Sequence, residues 1–241
     1  MTKPFSLSCL LLAAGRGERM RPLTDVMPKP LLEIQGKSLL IWHLEALAKA
    51  GITRVVINHA WLGTKIEDAL GDGSQFGLEI QYSPEAIALE TAGGICQALP
   101  LLEAEGYFLV INGDVFCPNF PIQHLIDQAA NLSEITDSKK RPLAHLILVP
   151  NPIQHPNGDF YLQGNQVSED ALVGAEKLTF SGIGLYHPDL LHHLVRGKPA
   201  KLAPLLRAAM VENRVTGEKY SGSWHDVGTP QRLNELNAAY E

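Results

Sequence analysis

The chain is sparing with cysteine. Cys9, Cys96 and Cys117 are odd in number and include no C-x-x-C pair, so neither a disulfide framework nor a zinc site is indicated, and a reducing cytoplasm is the expected compartment. No apolar run reaches the roughly 20 residues of a membrane-crossing helix. Basic residues are not in excess: 20 Lys+Arg stand against 26 Asp+Glu, a net charge of -6, which argues against the broad basic footprint of a nucleic-acid binder. Gly/Ser-rich linkers, internal repeats and low-complexity tracts are absent from the 241 residues. One large α/β domain is therefore expected, without a hinge between independent units.

Two phosphate-binding motifs and the marks of covalent catalysis are missing as well. A dinucleotide fingerprint starting at Gly15 would need glycine where the chain has Met20, and a Walker A loop ending at Gly36-Lys37-Ser38 would need glycine where it has Leu31. The tripeptide reads instead as a turn before a helix. There is no nucleophile elbow or catalytic triad, so no covalent enzyme intermediate is suggested. His43, His59, His124, His145, His187, His192 and His193 show no metal-ligand spacing. The start of the chain, Lys3 followed by Leu7, Cys9 and Leu10 to Ala14, superficially resembles a secretory leader. It runs straight into the loop described next, and is read as the first strand.

What is present is concentrated in residues 10 to 32, LLLAAGRGERMRPLTDVMPKPLL, an apolar run that breaks into a glycine-rich, cation-rich loop. Gly15 and Gly17 let backbone N–H groups approach phosphate oxygens, while Arg16, Arg19, Arg21 and Lys29 supply positive charge. This is the layout of a polyphosphate cradle at the end of a buried strand, and it points to a nucleoside triphosphate. Tyr107 to Ile111 (YFLVI) is a second apolar run, closed by Asn112-Gly113-Asp114. It reads as a buried strand that delivers an acid to the crevice beyond the carboxyl ends of an open α/β sheet.

The pattern L-A-A-G-x-G-x-R-M, then P-L-T, then P-K-P-L over residues 12 to 31 closely resembles the signature of the sugar-phosphate nucleotidyltransferases. That resemblance implies the nucleotidyltransferase, glycosyltransferase-A-like fold, an NTP and a sugar 1-phosphate as substrates, and release of pyrophosphate. It also implies that Arg19 holds the triphosphate and that Lys29 bridges the sugar phosphate and the α-phosphate. The segment Trp224-His225-Asp226-Val227-Gly228-Thr229-Pro230 resembles the family's W-x-D-x-G-T-P, which carries a metal-binding aspartate. Two polyanions that must meet call for a divalent metal, so Asp114 and Asp226 are the expected Mg²⁺ ligands. Base contacts are expected from the backbone of Leu12, Ala13, Ala14 and Gly15, and from Gln81, Glu90 and Gly93 in the segment 81 to 94. Uracil and guanine both present a ring N–H, so the base is left open between UTP and GTP.

The acceptor side is read from Asn151, from Gly158 and Asp159, and from Ser181, where glycine stands beside acceptor-rich side chains suited to sugar hydroxyls. Asn157-Gly158 is also the strongest hairpin signal in the chain. The segments N-P-x-x-H-P-x-G-D-F and T-F-S-G-I-G-L-Y are similar to the N-acetylmuramate α-1-phosphate uridylyltransferase branch of the family, with mannose-1-phosphate guanylyltransferases as the alternative. A silent nucleotide-sugar sensor on the same fold is the reading from another class, and it would be marked by loss of Arg19, Lys29, Asp114 or Asp226. All four are present. A muramyl acceptor carries a lactyl carboxylate, for which Lys201 and Arg207 are candidate cations. His155 and His225 lie within motif segments, with core or loop roles favoured. The chain is expected to act as a monomer or homodimer.

Strands are predicted at Ser8 to Ala13, Arg54 to Asn58, Leu78 to Tyr82, Tyr107 to Ile111, Ala144 to Val149, Leu178 to Tyr186, Val215 to Lys219 and Ser223 to Val227. Helices are predicted at Leu39 to Ala50, Trp61 to Leu70, Thr91 to Leu102, Pro121 to Ala130, Asp189 to Arg196, Lys201 to Glu212 and from Pro230. The fold class is α/β, a Rossmann-like doubly wound mixed sheet in a three-layer α/β/α sandwich, with residues 1–140 as the nucleotide-binding half and 141–241 as the sugar-phosphate half.

Overall fold

In the computed structural model, residues 7–104, 106–171 and 173–239 are described; Lys3 of the leader-like reading lies outside them. In chain order the elements are β1 (Cys9–Leu12), α1 (Leu23–Val26), β2 (Glu33–Ile34), β3 (Lys37–Ser38), α2 (Leu39–Lys49), β4 (Arg54–His59), α3 (Gly63–Leu70), β5 (Glu79–Pro84), α4 (Glu90–Leu102), β6 (Phe108–Asn112), β7 (Val115–Phe116) and α5 (Ile122–Ser133). The second half adds β8 (Ala144–Val149), β9 (Phe160–Gln163), β10 (Gln166–Ser168), β11 (Glu176–Tyr186), α6 (Leu202–Val211), β12 (Val215–Lys219), β13 (His225–Asp226) and α7 (Pro230–Ala239).

One nine-stranded mixed sheet runs through both halves in the order β5-β4-β1-β6-β11-β8-β12-β10-β9. The four strands that the first half gives this sheet, β1, β4, β5 and β6, are parallel, and β11 enters antiparallel between β6 and β8. The near-continuous apolar sequences of β1, β4 and β6 suit strands covered on both faces, and the two-residue period decides which side chain goes where. Cys9, Leu11, Val55, Ile57, Leu109 and Ile111 join one core with Leu40, Leu44 and Leu47 of α2, Ile66 of α3 and Leu125 of α5. Leu10, Val56, Phe108 and Val110 join the opposite core with Ile95 and Leu102 of α4 and Leu206 of α6. The three expected layers are thus present. A third cluster ties Leu233 and Leu236 of α7 to Ile34, Leu39 and Phe116.

Local signals explain several boundaries. The Ser38 hydroxyl accepts the Ile41 N–H and caps α2, and Gly51, at φ +83°, follows its end. Gln35 and Gly36, both at positive φ, make the two-residue turn of the β2–β3 hairpin, which absorbs the apparent Walker remnant.

Three expectations are corrected. The helix predicted over 189–196 is a short 3-10 turn at Pro188–Leu191; only the adjacent Leu190 and Leu191 are buried there, a spacing that gives no helical face. The hairpin turn is Gly164-Asn165, between paired Gln163 and Gln166, rather than Asn157-Gly158. The latter follows a proline-rich stretch with no strand of its own, and it turns the chain into β9. The strand predicted over 223–227 shrinks to β13, which among the described residues pairs only with β7.

Candidate active site

The parallel strands β1, β4, β5 and β6 all end at one rim, and the loops that leave them enclose a cavity of about 540 Å³. This is the crevice that the sheet topology predicts. Leu12, Ala13, Ala14, Gly15 and Arg16 line it after β1, Asn58 and Trp61 after β4, Glu85, Leu89 and Glu90 after β5, and Asn112 and Asp114 after β6. A second cavity of about 240 Å³ continues from it, sharing Asn112 and Asp114 and adding Asp159, Ser181, Trp224 and Asp226. A third, of about 320 Å³, shares Glu90, Thr91, Asn112, Asp159 and Phe180 with the other two.

The phosphate loop is built around Gly17. It adopts φ +68°, and a Cβ there would stand 3.0 Å from Thr24 Cγ2 and 3.1 Å from Lys29 Cβ. Thr24 Oγ1 donates to the Gly17 carbonyl at 2.8 Å. Only glycine lets the loop cross this point. Beside Gly15 the space is open, so its backbone faces the cavity unscreened. Arg16 is fixed rather than loose: its guanidinium lies 3.9 Å from the Trp61 ring centre, donates to Thr24 O at 2.7 Å and pairs with Asp25 at 3.2 Å.

Lys29 is buried, and its Nζ donates to Asp114 Oδ2 at 2.5 Å. Asp226 reaches the same cavity from the far end of the sequence because β13 pairs with β7, setting Asp226 opposite Val115. The Val227 N–H donates to the Asp114 carbonyl at 3.1 Å. Arg232 of α7 donates to Asp226 Oδ2 at 2.8 Å and to its carbonyl at 3.2 Å. Two hard carboxylates therefore share one wall, each countered by a cation. Below them, burial lowers the His43 pKa to about 4 from the ordinary 6.5, against smaller raising effects of a hydrogen bond to the Val115 backbone and the Asp114 charge.

The closed end of the large cavity carries a polar relay that the sequence reading missed. Asn58 Oδ1 accepts the Ala13 N–H at 2.7 Å, and Asn58 Nδ2 donates to Glu85 Oε1 at 2.7 Å. Glu85 Oε2 accepts the Leu89 N–H at 3.0 Å. Burial pushes the Glu85 carboxyl up, partly offset by these hydrogen bonds. Gly94 backs the pair so closely that a Cβ would lie 2.6 Å from Glu85 Oε1. The signal available in the sequence was a lone amide ending the apolar strand RVVIN.

A model of the nucleotidyl transferase family matches residues 8–141. The N-acetylmuramate α-1-phosphate uridylyltransferase of Neisseria meningitidis serogroup B is 52% identical over 233 residues, 96% of this chain and 97% of that protein. The chain belongs to the nucleotidyl transferase family. Its relative of the same name from Caulobacter vibrioides is 31% identical, covering 92% of each chain. Among solved structures, HddC from Yersinia pseudotuberculosis in complex with GMP-PN superposes with a TM-score of 0.74 at 18% identity, over 98% of this chain and all of that one. The last likeness shows the fold alone.

In this nucleotidyl transferase the structure gathers most, not all, of the expected site residues. Leu12, Ala13, Ala14, Gly15, Lys29, Glu90, Asp114, Asp159, Ser181 and Asp226 line the joined cavities. Arg19 is exposed on the 3-10 turn Glu18–Met20 and lines none of them. Gln81 points away, its amide donating to Glu79 Oε1 at 2.8 Å on the edge strand β5. Gly93 faces the 198–200 segment instead of a ligand, since a Cβ would stand 2.6 Å from the Lys198 carbonyl. Asn151 is spent on structure: it accepts from Thr179 Oγ1 and donates to the Lys177 carbonyl, and Gly158 packs against it. Asp159 divides its carboxylate between His155 Nε2 at 3.0 Å and the Phe180 N–H at 2.8 Å.

Proposed function

We propose that the chain transfers a uridylyl group from UTP to N-acetylmuramic acid α-1-phosphate and releases pyrophosphate. The observation that carries this reading is the 52% identity, along nearly the whole of both chains, to the Neisseria uridylyltransferase. The joined cavities support it, because they offer a nucleotide-sized space continuous with one lined by Asp159 and Ser181.

The Asp114 and Asp226 carboxylates fit Mg²⁺, a hard ion that commonly takes one or two carboxylates and completes its shell with phosphate oxygens and water. When bound it would supply neutralisation of the phosphate charge. The other steps belong to the chain's own groups. An ammonium has three N–H donors; Lys29 spends one on Asp114 and keeps two for oxygens of the α-phosphate and the sugar phosphate. Backbone N–H groups of the loop from Ala14 to Gly17, with Arg16 beside them, hold the β- and γ-phosphates that depart. The sugar phosphate oxygen is already anionic, so it attacks the α-phosphorus in line without a general base. Asn58 and Glu85 shape the base end through the Ala13 backbone. The substrates place the reaction in the cytoplasm, and the acceptor links it to recycling of peptidoglycan sugars.

The reading is tested by pyrophosphate release across UTP, GTP, CTP, ATP and dTTP with N-acetylmuramic acid, N-acetylglucosamine, mannose and glucose 1-phosphates. UTP with the muramyl acceptor is expected to give the highest kcat/KM. A maximum at GTP with mannose 1-phosphate would replace the reading, and no pyrophosphate in any well would leave a sensor.

A further inference from the structure

The third lobe of the site, about 320 Å³, is walled by Phe160, Phe180 and Leu206 and carries the charged groups Glu90, Asp159, Lys201 and Arg207. Two of these four charged groups are already committed. Asp159 is held by His155 and the Phe180 N–H, and Arg207 Nε pairs with Glu169 at 2.7 Å. Lys201 has no ion pair or side-chain hydrogen bond among the described residues. Its position is nonetheless fixed by the backbone beside it. The Ala200 carbonyl accepts the Ala92 and Gly93 N–H groups at 2.9 and 3.1 Å, and the Ala200 N–H donates to the Leu89 carbonyl at 3.0 Å. The residue before Lys201 is thus bolted to the start of α4, beside Glu90 and Thr91 of the nucleotide cavity. The close approach that requires glycine at 93 is what permits this.

We infer that Lys201 recognises a carboxylate carried by the sugar acceptor, and so separates N-acetylmuramic acid 1-phosphate from N-acetylglucosamine 1-phosphate. The inference rests on the uridylyltransferase reading. The two acceptors differ only by a lactyl ether, which has one methyl group and one carboxylate. The lobe offers a counterpart to each: the rings of Phe160 and Phe180 for the methyl group, and an uncommitted ammonium for the carboxylate. Burying that carboxylate unpaired against the aromatic walls would be costly, so the cation decides whether the muramyl substituent is accepted.

The test compares wild type, Lys201→Gln, Lys201→Arg and Arg207→Gln, each checked for unchanged thermal unfolding. The readout is the ratio of kcat/KM for the muramyl acceptor to that for N-acetylglucosamine 1-phosphate, with UTP. In parallel, the Kd ratio of UDP-N-acetylmuramic acid to UDP-N-acetylglucosamine is measured by calorimetry. A charge-assisted hydrogen bond lost from a site of this kind lowers the ratio about tenfold to a hundredfold in Lys201→Gln, with partial recovery in Lys201→Arg. An unchanged ratio, or an equal fall with both acceptors, overturns the inference, as does loss of discrimination in Arg207→Gln alone. Failure of the uridylyltransferase reading shows differently, as no use of the muramyl acceptor by the wild type.

Discussion

Replacing Lys29 with methionine separates chemistry from architecture. The Lys29 side chain is 9% exposed, whereas that of its partner Asp114 is 34% exposed. Methionine keeps the stem and packing but removes the ammonium. Asp114 then remains wetted, so the stability cost stays near that of a surface pair, about 1 kcal/mol or less, instead of the roughly 3–5 kcal/mol of a fully buried broken pair. For a chain of this size that is a fall in Tm of about 2–4 °C. The loss in turnover should be far larger. A donor aimed at charge that develops in the transition state is worth about 3–4 kcal/mol, or roughly a hundredfold to a thousandfold in kcat. Single-turnover pyrophosphate release at saturating UTP and acceptor, run beside calorimetric unfolding, reads both quantities. A kcat within tenfold of wild type would refute the role of Lys29. A Tm loss beyond about 10 °C would refute the claim that water reaches Asp114.

Three further outcomes follow from the same geometry. Wild type is expected to gain Tm on adding Mg²⁺ with UTP; Asp226→Ala should abolish that gain and lower turnover at least about a hundredfold, while the unliganded Tm changes little because Arg232 is left one-quarter exposed, and an intact Mg²⁺ response would remove Asp226 from the metal site. Gly94→Ala drives a Cβ to 2.6 Å from Glu85 Oε1 and 2.8 Å from Asn58 Nδ2, so UTP affinity measured by calorimetry should weaken about tenfold. His43 is held neutral to about pH 4; the unfolded chain binds its proton from about pH 6.5 downward, so stability is full above that value and declines as pH falls toward 4. In urea titrations His43→Phe should show a decline between pH 7 and pH 5 smaller by about 2 kcal/mol than wild type, and parallel declines would argue that the imidazole is not buried neutral.

The fold was legible where one residue type served one physical demand. The apolar runs at β1, β4 and β6 could only be covered strands, and the acid after Asn112-Gly113 could only emerge at their carboxyl ends. Glycine was harder to read. Gly17 is a crossing point, Gly93 and Gly94 are close approaches to Lys198 and Glu85, and Gly158 is a turn against Asn151; the sequence alone does not say what presses on a missing Cβ. Gln81 was misplaced because β5 is the sheet edge, where a polar side chain finds a neighbour on its own strand. Asn58 and Glu85 escaped notice because they are joined to each other and to Ala13 across long stretches of sequence; Arg232, close in sequence to Asp226, was hidden by the turn into α7 that brings the two together.

The tie between β7 and β13 is short: two residue pairs, with the Val227 N–H on the Asp114 carbonyl, set Asp226 beside Asp114. Prising β13 from β7 would unseat Asp226 and leave the loop after β1 where it is, so the two carboxylates stay neighbours only while that small sheet holds.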